Sequence, residues 1–282
     1  MDCERGENGS TEFGTLYIIA TPIGNLGDIT YRAIETLKLV DLVYCEDTRV
    51  SSKLLNHYGI KKKLVSNNKD NESSRASAAL SELKAGSSIA LISDAGTPLL
   101  NDPGGVLARL ALENGIQAVF LPGPSAIIAA YVYSAFASSD FYFGGFLPKK
   151  PNDIKKAFAK ADSLECPSIW FATASTIQSA LEAVDSLYAH RIVCVCREMT
   201  KMYEQNLWGT AKEVLAQLTL KGEFVLVLSE MKLEKEALPA PEELQEEIKE
   251  LMATTEMDAI KKLAKKYGVG KSSVYSLLKK NE

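Results

Sequence analysis

The chain has 282 residues, of which 46% are hydrophobic and 24% charged, which is the balance of a soluble globular protein with one large domain or two ordinary ones. No run approaches the roughly eighteen uninterrupted apolar residues of a membrane span, so we expect no membrane partner. The net charge of −4 excludes a surface that is basic throughout, although local basic patches remain compatible with it.

Residues 1–14 are mostly polar and lack the apolar stretch of a signal peptide, so we expect a disordered leader. The cysteines are scattered, without a CxxC pair or a nearby histidine cluster, which is typical of reduced thiols in a cytoplasmic protein. Cys194 and Cys196 fall two apart on a predicted strand and therefore face the same side. Because no further ligands are spaced for zinc, we interpret them as core-filling side chains and expect no metal site.

From residue 15 onward, short apolar runs alternate with helical patterns. The strand candidates are 16–20, 41–47, 62–67, 88–94 and 117–123, and the helix candidates between them are 30–40, 48–59, 72–86 and 104–115. Strand–helix alternation of this kind predicts an α/β domain, here 15–138, with a parallel sheet flanked by helices.

A second α/β block is predicted at 139–233. Its strand candidates are 141–148, 168–173, 191–199 and 222–230, and its helix candidates are 152–165, 174–189 and 210–220. Seven glutamates within 234–250 mark an acidic linker at 234–255. Residues 256–282 form a basic tail whose pattern resembles a helix-turn-helix.

Four unusual peptides follow predicted strands of the first domain. They are TPIGNLGD (21–28), EDTR (46–49), SDAGTPLLNDPG (93–104) and PGPSA (122–126). Glycine and proline are also ordinary turn residues, but four successive strand ends of this kind favour a ligand cleft at the carboxyl edge of the sheet. A dinucleotide site is the alternative, although the GxxG spacing of the first loop departs from GxGxxG.

Together with GFLP, REMTKMYE and KGEFVLVL, these peptides resemble the tetrapyrrole-methylase-type (class III) methyltransferases. The resemblance spans 15–230 and is strongest to the branch that methylates a cytidine ribose 2′-oxygen in 16S ribosomal RNA. It implies two α/β domains, the second with a mixed sheet, and a small helical C-terminal tail. It also implies S-adenosyl-L-methionine in the cleft, a homodimer, and 16S RNA or the small ribosomal subunit as partner. A corrin-precursor methyltransferase and a non-catalytic scaffold or regulator are the alternatives.

The resemblance also implies which residues surround the cofactor, with Phe224 and Val225 as apolar lids from the second domain. The expected cofactor-binding residues are Pro22, Gly24, Asp28, Asp94, Gly96, Thr97, Pro98, Pro122, Gly123, Ser125, Phe224 and Val225. Asp28 and Asp102 have local alternatives as helix caps, Asp102 because Pro103 follows it. Asp94 has no such alternative and is the preferred acid on the cofactor side.

Candidates for proton transfer are Glu46 and Asp47, with Arg49 holding a phosphate or a carboxylate. The alternative is a structural ion pair between Glu46 and Arg49 at a helix N-terminus that Asp47 or Thr48 caps.

Two peptides depart from the family. Its HxHNE-like peptide is replaced by Asn68, Lys69, Asp70, Asn71 and Glu72. Its FYExxHR peptide is replaced by the run from Trp170 to Thr176, which lacks the glutamate, histidine and arginine. These departures predict that the protein binds RNA through different side chains or has an altered activity.

RNA-binding candidates are Arg197, Lys201, Lys265, Lys266 and Lys271. The first two are equally compatible with a surface charge network. The tail lysines also fit a DNA-reading transcription regulator or a solvated surface motif.

Overall fold

The computed structural model describes residues 13–231, 258 and 260–263. Its first strands are β1 (Leu16–Ile19), β2 (Leu42–Cys45), β3 (Lys63–Ser66), β4 (Ile89–Ile92) and β5 (Ala118–Leu121). They form one parallel sheet in the order β3-β2-β4-β1-β5. The predicted parallel sheet of the first domain is therefore confirmed.

Helices follow the strands in alternation. They are α1 (Tyr31–Leu39), α2 (Thr48–His57), α3 (Glu72–Lys84), α4 (Gly105–Glu113) and α5 (Ala126–Ser134). Helix α1 is capped by Thr30, whose hydroxyl accepts the Ala33 N–H at 3.1 Å. Asp28 lies instead in a short 3-10 turn at Leu26–Asp28, so the expectation that it caps this helix is wrong.

Both faces of the first sheet are buried. Leu16 and Ile18 of β1 pack into one apolar cluster, whereas Ile19 packs into the cluster on the opposite face. Because helices cover both faces, an apolar side chain at any position of a strand stabilises the fold. Each large one that is fully buried contributes about 1.5–3 kcal/mol. This explains the continuous apolar runs.

The second sheet is mixed. Its strands are β6 (Tyr142–Phe146), β7 (Ser168–Thr173), β8 (Ile192–Arg197), β9 (Gln205–Thr210) and β10 (Glu223–Leu228), in the order β6-β7-β10-β8-β9. Only β6 and β7 run parallel; the other neighbouring pairs are antiparallel. Its helices are α6 (Pro151–Asp162), α7 (Ala174–Leu187) and α8 (Ala211–Gln217).

Helix α5 joins the two sheets. It follows β5, but its buried residues Ile127 and Ala130 pack on the second sheet, in one cluster with Cys194 and Cys196. The two sulfur atoms lie 3.9 Å apart in this core, as expected for core-filling side chains. The Trp208 indole of β9 donates to the Ser134 carbonyl at the end of α5, at 3.1 Å. Through these contacts α5 ties the first sheet to the second.

Both sheets belong to one compact unit, which comprises the described residues up to Ala161 and from Cys166 to Ser229. A second unit comprises Asp162–Glu165 and the described residues after Ser229. No helix within the described ranges is long and apolar enough to cross a membrane. Most of the predicted leader and tail, the whole acidic linker, and Lys265, Lys266 and Lys271 lie outside the described residues.

Candidate functional site

A cavity of about 350 Å³ lies at the carboxyl ends of the first-sheet strands, and residues of β6, β7 and β10 form its opposite wall. This volume is in the range of small-molecule sites. Of the residues expected to act on substrate or cofactor, those that line it are Glu46, Asp94, Gly96, Thr97, Ser125 and Val225. Other lining residues were not assigned to the cofactor or to the reaction from the sequence; they include Asn101, Asp102, Phe146, Phe171, Ala172 and Thr173.

Three carboxyl groups meet in this cavity. Burial raises the pKa of Glu46, and the nearby charge of Asp94 raises it further. Burial likewise raises the pKa of Asp94. Burial, together with the charge of Glu46, raises the pKa of Asp102 to about 6. Carboxylates that repel one another in a partly dry cavity favour a cationic ligand or a shared proton.

Asp102 does not cap the helix that follows it. Helix α4 begins at Gly105, and Gly104 precedes it with φ of 122°. The Glu72 carboxylate, from the start of α3, accepts the N–H groups of Gly104 at 2.7 Å and Val106 at 3.0 Å. Because this carboxylate satisfies the helix end, Asp102 is left to line the cavity.

Asp47 and Arg49 form a structural ion pair, where the sequence offered Glu46 and Arg49 as the alternative to a catalytic role. The Asp47 carboxylate caps α2 by accepting the Arg49 N–H at 2.8 Å. The Arg49 guanidinium donates to the same carboxylate at 2.6 Å, and this hydrogen-bonding lowers the pKa of Asp47 to about 2. Neither side chain lines the cavity. Among the three catalytic candidates, only Glu46 is in a position to meet a ligand there.

The loops are tied together by backbone hydrogen bonds. Thr21 and Gly96 exchange N–H···O bonds of 2.9 and 3.0 Å, and the Thr21 hydroxyl donates to the Ser93 carbonyl at 3.0 Å. The Asp94 carboxylate accepts the Asp47 N–H at 3.0 Å, which gives Asp94 a structural bond beside its place in the cavity. These bonds join the loops that follow β1, β2 and β4 to one another at the cavity wall.

The glycine loop after β1 contacts the turn between β8 and β9 of the second sheet. Asn25 N–H donates to the Thr200 hydroxyl at 3.0 Å. A Cβ on Gly24 would lie 2.6 Å from both Thr200 Oγ1 and Lys201 Cγ, so only glycine fits this approach. Gly24 thus contributes through this close contact and does not line the cavity.

Arg197 and Lys201 have structural partners. The buried Arg197 guanidinium donates to the carbonyls of Lys221 and Tyr203, which gives it a structural role in the protein. The Lys201 ammonium donates to Glu223 at 2.7 Å and Glu198 at 3.3 Å, in agreement with the alternative of a charge network.

Several expected cofactor residues are not among those that line the cavity. They are Pro22, Gly24, Asp28, Pro98, Pro122, Gly123 and Phe224. Phe224 shows the reason most clearly: it alternates with Val225 along β10, and its ring is buried in the core on the opposite face of the sheet.

The sequence profile of the tetrapyrrole (corrin/porphyrin) methylases matches residues 15–215 of the chain. The chain belongs to this family. The match covers the whole first sheet and the second sheet as far as α8, and therefore every strand end around the cavity except that of β10.

Relatives within the family are similar over most of the chain. The ribosomal RNA small subunit methyltransferase I of Neisseria meningitidis is 40% identical over 274 residues, which cover 94% of this chain and 92% of the relative. The protein of the same name from Bacillus subtilis is 36% identical over 279 residues, 95% of each chain.

Two solved structures share the fold. A diphthine synthase has a TM-score of 0.58 at 14% identity, covering 77% of this chain and 90% of its own. A conserved hypothetical protein from Aeropyrum pernix K1 has a TM-score of 0.61 at 16% identity, covering 78% and 85%. At these identities the likeness concerns the fold alone.

The departure from the family's FYExxHR peptide falls at the cavity. Phe171, Ala172 and Thr173 of β7 line it. Ala172 pairs with Phe224, and its side chain is buried with Trp170 in the core on that face of the sheet, whereas Phe171 lies on the face of Val225. The position of the family's glutamate is therefore taken by a small buried side chain.

Proposed function

We propose that the chain transfers a methyl group from S-adenosyl-L-methionine to the ribose 2′-oxygen of a cytidine in 16S ribosomal RNA. The observation that carries the proposal is a cavity lined by carboxyl groups, at the carboxyl edge of the parallel sheet, in a chain of this methylase family. The names of its relatives support ribosomal RNA as the substrate.

The residues of the cavity fit the cofactor. A molecule that carries a sulfonium and an ammonium group suits a site where three carboxyl groups are crowded together, because a cation relieves their mutual repulsion. Gly96 has φ of 78°, and a Cβ there would lie 3.3 Å from Ile23, so the backbone stays open to a ligand. When bound, S-adenosylmethionine supplies a methyl group that is already activated on sulfur.

The remaining task of the protein is to place the hydroxyl and to receive its proton. Good alignment alone contributes about 7–11 kcal/mol in favourable intramolecular reactions. Asp102 is the group we assign to the proton, because a carboxylate whose pKa is about 6 is a better base near neutral pH than an ordinary one. Glu46 stands beside it and strengthens that basicity through its charge.

We further propose that the protein acts in the cytoplasm as a homodimer on 16S RNA or the small subunit, and that Lys265, Lys266 and Lys271 grip phosphates. Replacing all three lysines with glutamine should lower RNA affinity and reduce its dependence on salt, by about one in the log–log slope for each lysine that contacts phosphate. Unchanged affinity and slope would show that the three tail lysines do not contact RNA phosphates.

Purified full-length protein, tritiated S-adenosylmethionine and small ribosomal subunits or 16S RNA form the direct assay. Alkali-stable label and 2′-O-methylcytidine in the nucleoside digest are expected. Asp102→Asn should lose most activity, whereas Glu113→Gln, an exposed change at the far end of α4, should retain it. Label that enters a porphyrinoid in place of RNA would indicate a corrin-precursor methyltransferase. Absence of cofactor binding would indicate a scaffold.

A further inference from the structure

Phe146 is an aromatic side chain that folding leaves largely in solvent. It is the last residue of β6 and lines the cavity, yet 61% of its surface is exposed. Its ring rests against Phe171, with centroids 5.3 Å apart, and Phe171 in turn rests on Phe143 at 5.1 Å. A ring that packs against one other ring and is otherwise largely open to water is suited to stacking with a planar ligand.

The backbone before Phe146 is shaped to place it there. The pairing of β6 with β7 shifts register between Phe143 and Phe146, and such a bulge redirects the side chain that follows. Gly144 admits no side chain, because a Cβ would lie 2.1 Å from the Trp170 ring. Gly145 has φ of 74°, a conformation that favours glycine.

An amide lies next to this bulge. A Cβ on Gly145 would be 3.5 Å from Asn101 Oδ1 and 3.6 Å from Asn101 Nδ2. Asn101 lines the cavity and is exposed. Its φ of 68°, and that of Leu99 at 74°, put two non-glycine residues of one short loop in the left-handed region, which is often a sign of functional constraint. The amide offers a donor and an acceptor side by side, the pattern that pairs with the edge of a nucleobase.

Charge decides which end of a nucleotide approaches the cavity. Glu46, Asp94 and Asp102 inside it repel phosphate, whereas the exposed Lys149 and Lys150 follow Phe146 by three and four residues. A nucleotide is therefore expected to keep its phosphates outside, near the lysines, and to present its neutral base and ribose at the mouth.

We propose that Phe146 and Asn101 form a platform at the mouth of the cavity, on which the base of the acceptor nucleotide, unstacked from the RNA, is stacked and hydrogen-bonded. The proposal rests on the RNA methylation proposed above. The platform fixes the base so that the ribose faces the cavity. Stacking on an aromatic side chain is tolerant of sequence, and the amide adds contact with the base edge.

The test compares four variants at Phe146 in the methyl-transfer assay with full-length protein. Phe146→Ala and Phe146→Leu should lower kcat/KM for RNA by roughly 5- to 150-fold, the range of one base–aromatic stack. Phe146→Tyr and Phe146→Trp should restore it to within a few-fold. The leucine variant keeps apolar contact with Phe171. A loss of activity in this variant would therefore be due to lost stacking and not to lost packing. Equal activity in the leucine and aromatic variants would overturn the platform.

Asn101→Gly removes the amide while still allowing the left-handed backbone. It should lower kcat/KM for RNA and leave the affinity for S-adenosylmethionine, measured by calorimetry, within about twofold of wild type, as should Phe146→Leu. Loss of cofactor affinity in both would assign these residues to the methyl donor and overturn the platform. The double variant Lys149→Gln and Lys150→Gln should flatten the salt dependence of KM, whereas the Phe146 variants should not.

The outcomes separate the two proposals. A wild-type protein that labels RNA, with Phe146→Ala and Asn101→Gly variants as active as wild type, contradicts the platform alone. A wild-type protein that binds the cofactor and labels no RNA contradicts the proposed function and the platform with it.

Discussion

Replacing Asp102 with asparagine should stabilise the protein at neutral pH while weakening its affinity for a cationic cofactor. The folded protein raises the pKa of this carboxyl group from 3.8 to about 6, chiefly by burial and then by the charge of Glu46. An ionised Asp102 therefore costs stability above its folded pKa. Asparagine has almost the same shape and no charge, so it removes that cost.

The magnitude follows from the shift. One pKa unit corresponds to about 1.4 kcal/mol, so two units would amount to about 3 kcal/mol if the group were fully shielded from water. Asp102 is only partly buried, and screening by solvent reduces the expected gain to about 1–1.5 kcal/mol. Below its unfolded pKa the wild-type carboxyl is protonated in both states, so the gain should disappear there and grow as pH rises through about 6.

Urea unfolding at about pH 4.5 and about pH 7.5 measures this gain as the difference in free energy of unfolding between variant and wild type. Glu113→Gln is the matched control, since Glu113 is exposed and distant from the cavity, and its effect should be small at both values. A gain for Asp102→Asn that is the same at both pH values, or a loss at neutral pH alone, would refute the reasoning from charge.

Three further predictions concern the same site. The affinity of the wild-type protein for S-adenosylmethionine, measured by calorimetry, should rise severalfold from about pH 5 to about pH 7.5, because a cation prefers ionised carboxylates. The Asp102→Asn variant should show a flatter pH profile. Parallel profiles would argue against a role of Asp102 in binding the cation. Gly24→Ala should cost about 1–3 kcal/mol in urea unfolding, because its Cβ would strike Thr200 and Lys201, and a neutral result would mean that the domain contact is loose. Thr200→Val keeps the shape of the side chain at a residue whose φ is 64°. It should lower the free energy of unfolding by about 0.5–1.5 kcal/mol, because the Asn25 N–H loses its acceptor. Unchanged stability would show that water replaces the hydroxyl.

The sequence predicted the first domain well because local and long-range preferences agree there. Each parallel strand is buried on both faces, which leaves a plain apolar run, and the sequences of helices α1 to α4 alternate apolar and polar residues with a helical period. Helix α5 was missed because its sequence, AIIAAYVYS, is apolar on all sides and shows no helical period. Strand β9 was missed for the opposite reason, since QNLWGT at the edge of the second sheet is largely polar.

Asp102 shows why the site was only partly predictable. Asp-Pro is a common start of a helix, and nothing local indicates that the helix begins later. The reason is the Glu72 carboxylate, thirty residues earlier, which satisfies the N–H groups at the start of α4. Phe146 and Asn101 were missed for a similar reason, because only the fold brings the bulge in β6 beside the loop after β4.

The central claim is that this chain methylates a ribose 2′-oxygen of a cytidine in 16S RNA. Mass-spectrometric mapping of 16S RNA from cells with and without the gene tests it most directly, with Asp102→Asn and Glu113→Gln copies returned to the deletion strain. The account predicts one 2′-O-methylcytidine that is absent from the deletion strain, restored by Glu113→Gln and not by Asp102→Asn. An identical set of methylated nucleotides with and without the gene would contradict it.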